Sequence, residues 1–219
     1  MGRPSARGKL LDCAEALFAE HGLEGVSLRA INSRAGLSPA ALHYHFGSKE
    51  VLVEALLERQ MPALMEHRRQ LLDGLNNLDR AATTREILKA LIQPQVELLK
   101  ADGDEGLRYM RCIQRLQSDG DLDASFVLER WPGGVDRLVP MLKRANPNLA
   151  DATLAKRLRL GIGVMLTSLT HGQSTSSGPA SNAATSSTAA SANELEEHVE
   201  AVLDFLTGAF EAPITGEDS

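Results

Sequence analysis

Between residues 27 and 49 the chain sets out hydroxyl, guanidinium, imidazole, phenol and ammonium groups at short intervals: Ser27, Arg29, Ser38, His43, Tyr44, His45 and Lys49. Groups of this kind hydrogen-bond phosphate oxygens and base edges. Pro39, Ala40 and Ala41 stand among them, compact enough to lead a helix into a groove and to touch thymine methyl groups. Bond-breaking chemistry finds less to work with. There is no Gly-rich phosphate loop, G-x-S-x-G elbow or H-E-x-x-H run, and His21, His43, His45, His67, His171 and His198 have no convincing carboxylate partner. His43 and His45 do not make a metal pair, because two positions apart on a helix they diverge by about 200°. No catalytic residue, metal or cofactor is assigned, and the chain is not expected to be an enzyme. Cys13 and Cys112 read as packing residues.

Three helices must position these groups. Leu10, Ala14, Leu17 and Phe18 recur at helical spacing up to His21, and Gly22 is a stop. Ser27 is a good N-cap for a second helix with Leu28, Ile31 and Ala35 on one face, and Gly36 ends it. Ser38-Pro39 then starts a short third helix as cap plus first-turn proline, with Leu42 and Phe46 on its inner face. His43 and Tyr44 fall on the outer face. Two short helices joined by Gly36-Leu37-Ser38 have the length and punctuation of a helix-turn-helix.

The run Leu10-Leu11-Asp12-Cys13-Ala14-Glu15-Ala16-Leu17-Phe18-Ala19-Glu20-His21-Gly22, then Ala35-Gly36-Leu37-Ser38 and Leu42-His43-Tyr44-His45-Phe46-Gly47-Ser48-Lys49-Glu50, resembles the DNA-binding domain of the TetR family of bacterial transcriptional repressors. Asn32 departs from the alanine that most members carry. The resemblance implies an all-α fold of about nine helices. Residues 1–50 would form the three-helix helix-turn-helix domain and residues 51–219 a larger effector-binding and dimerisation domain. It also implies a homodimer in the bacterial cytoplasm, associated with the nucleoid when bound to a palindromic double-stranded operator, and released from it by a small-molecule effector. Tyr44 and His45 resemble the family's contacts to the backbone and groove wall, with His43 in place of the commoner tyrosine or asparagine. Lys49 resembles its phosphate-gripping lysine. From chemistry alone, Ser27 can donate to a phosphate at a helix N-terminus, Arg29 can reach a phosphate or base edge, and Arg3, Arg7 and Lys9 can form a basic arm.

The body reads as helices throughout. A long pattern from Lys49 to about Leu72 contains Pro62, which predicts one bent helix with a DNA-proximal lever and a pocket-lining part. Helices are predicted over 83–100, 105–117, 122–129, 135–144, 150–170 and 194–210. The run from Gln173 to Asn193 holds seven Ser, six Ala and three Thr and nothing charged, which predicts a flexible loop. The last two helices carry apolar stripes, and Leu158, Gly161, Leu195, Val199, Val202, Leu206 and Phe210 are expected to meet a second subunit. Met61, Met65, Gln95, Tyr109, Met110, Gln114, Phe126, Trp131, Met165 and His171 are candidates to line a ligand pocket, since adaptable methionines beside a few hydrogen-bonding groups suit an apolar organic molecule. Pro62, Pro94, the stretch 135–140 and Gly163 resemble the family's fatty-acid-responsive branch, which implies an acyl or aromatic effector, carboxylated in some forms.

Composition fits this division. The chain of 219 residues carries a net charge of −6, yet residues 1–49 hold six basic and four acidic side chains against 17 and 25 in the remainder. A mildly basic head on an acidic body suits one end touching phosphate. Two cysteines cannot staple a secreted scaffold, and no apolar signal segment or stretch of about 20 apolar residues is present, so a soluble protein of a reducing compartment is expected, with no membrane partner.

Overall fold

The computed structural model describes residues 5–119, 137–171 and 187–213. Among the described residues every regular element is a helix, and there are nine: α1 (Ala6–His21), α2 (Leu28–Ala35), α3 (Ala41–Phe46), α4 (Lys49–Leu57), α5 (Met61–Asn76), α6 (Thr84–Ser118), α7 (Leu138–Ala145), α8 (Asp151–His171) and α9 (Ser187–Glu211).

Local chemistry accounts for most boundaries. Ser5, Ser27, Ser48 and Thr83 each accept a backbone N–H at the head of α1, α2, α4 and α6, satisfying donors that a helix start leaves orphaned. At α6 the Glu86 carboxylate returns the bond to the Thr83 N–H at 2.9 Å, completing a capping box. Gly36 ends α2 in the left-handed conformation, at φ 65°, where a side chain would be strained.

Three expectations change. Lys49–Leu72 is not one bent helix but α4 and α5, separated by a turn at Glu58–Gln60 in which Arg59 and Gln60 bond back to the Leu56 and Leu57 carbonyls. Pro62 lies in the first turn of α5, where its missing donor costs nothing; the proline starts a helix instead of kinking one. The helices predicted over 83–100 and 105–117 are one 35-residue element bent at Gly103, whose φ of 50° and ψ of −119° are non-helical. The last helix begins at Ser187, inside the stretch expected to be loop. Its alanines offset the weak helix preference of Ser and Thr. The helix predicted over 122–129 and the rest of the Ser/Ala-rich run lie outside the described residues.

α6 is the spine. Toward its N-terminal end Arg85 pairs with Glu200 and Asp204, and Lys100 with Glu196, tying it to α9; Asn146, just past α7, donates to Thr84 at 3.0 Å. Its other end carries α1. There the Glu15 carboxylate, almost wholly buried, accepts from Arg108 of α6 at 3.0 Å and from Arg59 of the α4–α5 turn at 3.3 Å, while Arg59 also grips Asp12 at 2.6 Å. Tyr109 donates to the Leu57 carbonyl at 3.3 Å beside them. Burial pushes the Glu15 carboxyl above the usual carboxylate range despite both arginines, so ionising it works against the fold.

A group whose folded value is raised holds its proton more tightly in the folded state, and stability therefore falls as pH climbs through that value. Glu15→Gln is expected to remove this decline and to leave stability near neutral pH within about 1 kcal/mol of the parent, because the two arginines it abandons remain half in water. Urea denaturation at pH 5 and pH 8 reads both effects.

Candidate nucleic-acid interface

α2 and α3 hold the predicted contact residues, and one buried side chain fixes their relation. Asn32 lies inside the head, where its Nδ2 donates to the Pro39 carbonyl at 3.0 Å and its Oδ1 accepts the Leu42 N–H at 3.1 Å. The residue that departs from the usual alanine is a clamp. It takes over the capping duty expected of Ser38, whose side chain makes no cap bond: α3 starts at Ala41, and the Ser38 carbonyl accepts the Ala41 N–H at 2.9 Å. Beneath the clamp Ile31, Leu42 and Phe46 are buried with Leu17 and Phe18 of α1.

This packing leaves one face of the head in water. Ser27, Arg29, Ser38, Pro39, Ala40 and His43 are exposed, and Tyr44 is 85% exposed with its ring edge-on to His45 at 5.1 Å. A phenol this exposed buries little surface within the protomer. Ser27 accepts the Ala30 N–H through Oγ, which leaves its hydroxyl hydrogen free to donate outward. Ala41 and His45 are half-buried, and Ala41 packs against the core, so of the two alanines expected to touch thymine only Ala40 is exposed. Lys49 is half-buried as well, its ammonium bonded to the Leu23 carbonyl; two of its three N–H donors are left for a phosphate. The basic arm is altered: Arg7 and Lys9 belong to α1, with the Arg7 guanidinium 5.1 Å above the Phe46 ring, while Arg3 lies outside the described residues.

The candidate ligand residues fare unevenly. Met61, Met65, Gln95, Tyr109, Met110 and Met165 are buried and Gln114 is half-buried. His171 is exposed, its ring bonded to the Thr167 carbonyl at 2.9 Å. Phe126 and Trp131 lie outside the described residues. A cleft of about 630 Å³ runs between α5, α6 and α9 along Leu71, Ala90, Val96 and Val199, and none of the ten lines it. Sequence reasoning missed Arg68 of α5, which is 2% exposed and carries no carboxylate partner among the described residues. Burial alone lowers it to about 10. Burial likewise pushes both Cys13 and Cys112 up, which keeps them as thiols. Among the described residues no group of His, Cys, Asp and Glu could hold a metal ion, and no helix is long and apolar enough to cross a membrane.

The residues expected to meet a second subunit face inward in the protomer. Leu158, Gly161, Leu195, Val199, Val202, Leu206 and Phe210 are buried in the protomer's own core. A Cβ on Gly161 would sit 3.5 Å from Leu206 and 3.7 Å from Phe210, so these residues clasp α8 to α9. The apolar side chains left outside are Leu160 (61% exposed) and Val164 on α8 and Phe205 (62%) on α9. Small residues Ala201, Gly208 and Ala209 lie exposed on the Phe205 side of α9.

A clamped helix-turn-helix on an all-helical body is the class of protein that these elements define. Residues 10–56 match the family described as bacterial regulatory proteins, tetR family, and residues 89–209 match the tetracyclin repressor-like C-terminal domain. The chain belongs to the TetR family. It is similar to the HTH-type transcriptional repressor KstR2 of Mycobacterium tuberculosis, 33% identical over 52% of this chain and 54% of that one. With KstR2 of Rhodococcus jostii it shares 35% identity over 60% of this chain and 64% of the relative. The matches thus span between half and two thirds of those relatives' length. In structure it resembles the fatty acid degradation regulator FadR from Bacillus halodurans, with a TM-score of 0.56 at 18% identity over 95% of this chain and 97% of that one. At that identity the likeness is one of fold.

Proposed function

We infer that the chain is a ligand-responsive transcriptional repressor that binds a palindromic operator as a homodimer in the bacterial cytoplasm. One observation carries the reading: α3 is pinned to α2 by Asn32 while Tyr44 and His43 project into water. Docked in a major groove, the leading Pro39 and Ala40 come closest to base edges, and Arg29, Ser27, Tyr44 and Lys49 reach phosphates on either side. Two such helices bind one duplex when set about 34 Å apart, which asks for a two-fold dimer. The exposed Leu160, Val164 and Phe205 supply an apolar face for it on α8 and α9. Relatives named as repressors and a structural neighbour that is a fatty acid degradation regulator favour an apolar effector in the body.

The switch is a shift in population between head spacings. The head is carried by α6 through Glu15–Arg108 and by the α4–α5 turn through Glu15–Arg59. An effector that moves α5 against α6 changes both supports together, and a coupling of about 1–3 kcal/mol alters DNA affinity roughly 5- to 150-fold.

Gel retardation on the DNA upstream of the protein's own gene tests the reading. Salt-sensitive retardation at nanomolar protein is the expected result, and retardation no stronger than on random DNA would show a helical adaptor that works through protein contacts only. Arg29→Ala is expected to weaken all duplexes alike and to reduce the salt slope of binding by about one per head.

A further inference from the structure

Buried charges in proteins are normally paired with an opposite charge. Arg68 of α5 is an exception. Its Nε and Nη2 both donate to the Leu91 carbonyl of α6, at 3.3 and 3.1 Å, and Nη1 donates to the Met65 sulfur at 3.2 Å. Among the described residues a carbonyl and a thioether are its only partners, which leave the charge uncompensated and two of its five N–H donors unused. One turn beyond Leu91 on the same helix, Gln95 is buried with an amide oxygen that has no hydrogen-bond partner among the described residues. Two polar groups that a core would ordinarily exclude thus lie on facing helices, each short of a partner. Their surroundings are apolar, with Met61, Met65 and Leu72 buried on α5 and Leu88 and Ile92 buried on α6. The cleft of about 630 Å³ comes up to the same two helices from outside, its walls including Leu71, Ala90 and Val96, near neighbours in sequence of Arg68, Leu91 and Gln95.

We propose that Arg68, with Gln95 one turn along α6 from the Leu91 carbonyl it bonds, is the anchor for the carboxylate of an apolar small molecule seated between α5 and α6; this rests on the reading of the body as an effector-binding domain. A guanidinium fork is complementary to a carboxylate in geometry and charge. Gln95, turned about its last torsion, presents its NH2 to the same group. The aliphatic or ring part of the ligand then lies against the methionines, which adapt to its shape. A purely structural role explains these residues less well, since a methionine at position 68 would fill the space without a charge to desolvate.

Decanoate, 1-naphthoate and cholate, each beside its neutral primary amide, are titrated calorimetrically into the full-length protein and into Arg68→Met and Arg68→Lys. At least one acid is expected to bind the parent ten-fold or more tighter than its amide. Arg68→Met is expected to abolish that preference while the ligand-free protein melts no lower than the parent, and Arg68→Lys to keep part of the preference. The proposal is overturned if no acid outbinds its amide, if the preference survives in Arg68→Met, or if both variants melt well below the parent, which would make Arg68 a structural residue. DNA retardation is measured in parallel with no acid present. Retained retardation with no acid preference removes the anchor alone, whereas absent retardation removes the regulator reading.

Discussion

Asn32→Ala is expected to leave the head folded but to loosen α3, lowering stability by about 1–3 kcal/mol and weakening operator binding ten-fold or more. The first figure is the cost of burying a donor without a partner. The Leu42 N–H loses its side-chain acceptor, the Asn32 Oδ1 at 3.1 Å, and no serine stands ready in its place, because the Ser38 hydroxyl does not cap α3. The second figure follows from geometry. A helix of six residues has too few internal bonds to hold its own orientation, and α3 owes its pose to Asn32 and to the buried Leu42 and Phe46. Asn32→Asp keeps an acceptor for Leu42 but turns a second oxygen toward the Pro39 carbonyl, so it should lie between the alanine variant and the parent. Thermal melts and operator titrations read the two effects separately. Parent-like operator affinity in Asn32→Ala would show that Leu42 and Phe46 suffice.

Phe205→Asp should have a larger effect still. A phenyl ring 62% exposed in the protomer contributes little to its folding, so helicity is expected to persist. In a two-fold dimer the substitution is made twice at one interface, and each side loses an anchor worth about 1.5–3 kcal/mol when buried. Sedimentation equilibrium should show monomer where the parent is dimer, and operator affinity should fall by about 100-fold or more as the second head is no longer tethered to the first. Val199→Asp is the contrasting variant. That valine is buried between helices of one chain, and its replacement should unfold the protein. A Phe205→Asp dimer as stable as the parent would place the subunit contact on another face.

The head was largely legible before the structure because its signals are local. Ser27, Gly36 and Ser48 mark helix ends through bonds made within four residues, and such marks survive any tertiary context. The body was less so. Pro62 has one appearance in sequence and two structural uses, as a kink within a helix or the opening of a new one, and apolar periodicity runs on across the Glu58–Gln60 turn without deciding between them. Helices α8 and α9 have two apolar sides. Counting stripes found the denser one, which turned out to face the protomer's own core, whereas the outer one is sparse, with Leu160 and Val164 one turn apart on α8 and Phe205 alone on α9. Arg68 sits in His67-Arg68-Arg69-Gln70 and looks like part of a solvated face. Its spacing of three and four from Met65, Leu64 and Leu72 placed it on the buried stripe all along, and spacing was the better guide. Asn32, next to Ile31 on the inner face of α2, carried a similar clue.

The bend at Gly103 constrains how relatives of this protein can diverge. A side chain at φ 50°, ψ −119° would be strained whatever its size, so the angle at which one end of the spine presents the reading head is written into the main chain, beyond the reach of gradual tuning by substitution. Lineages that serve operators of different spacing would have to move the glycine along the helix by whole residues, each step turning the head by about 100°, and few of those turns would leave α1 a surface to rest on.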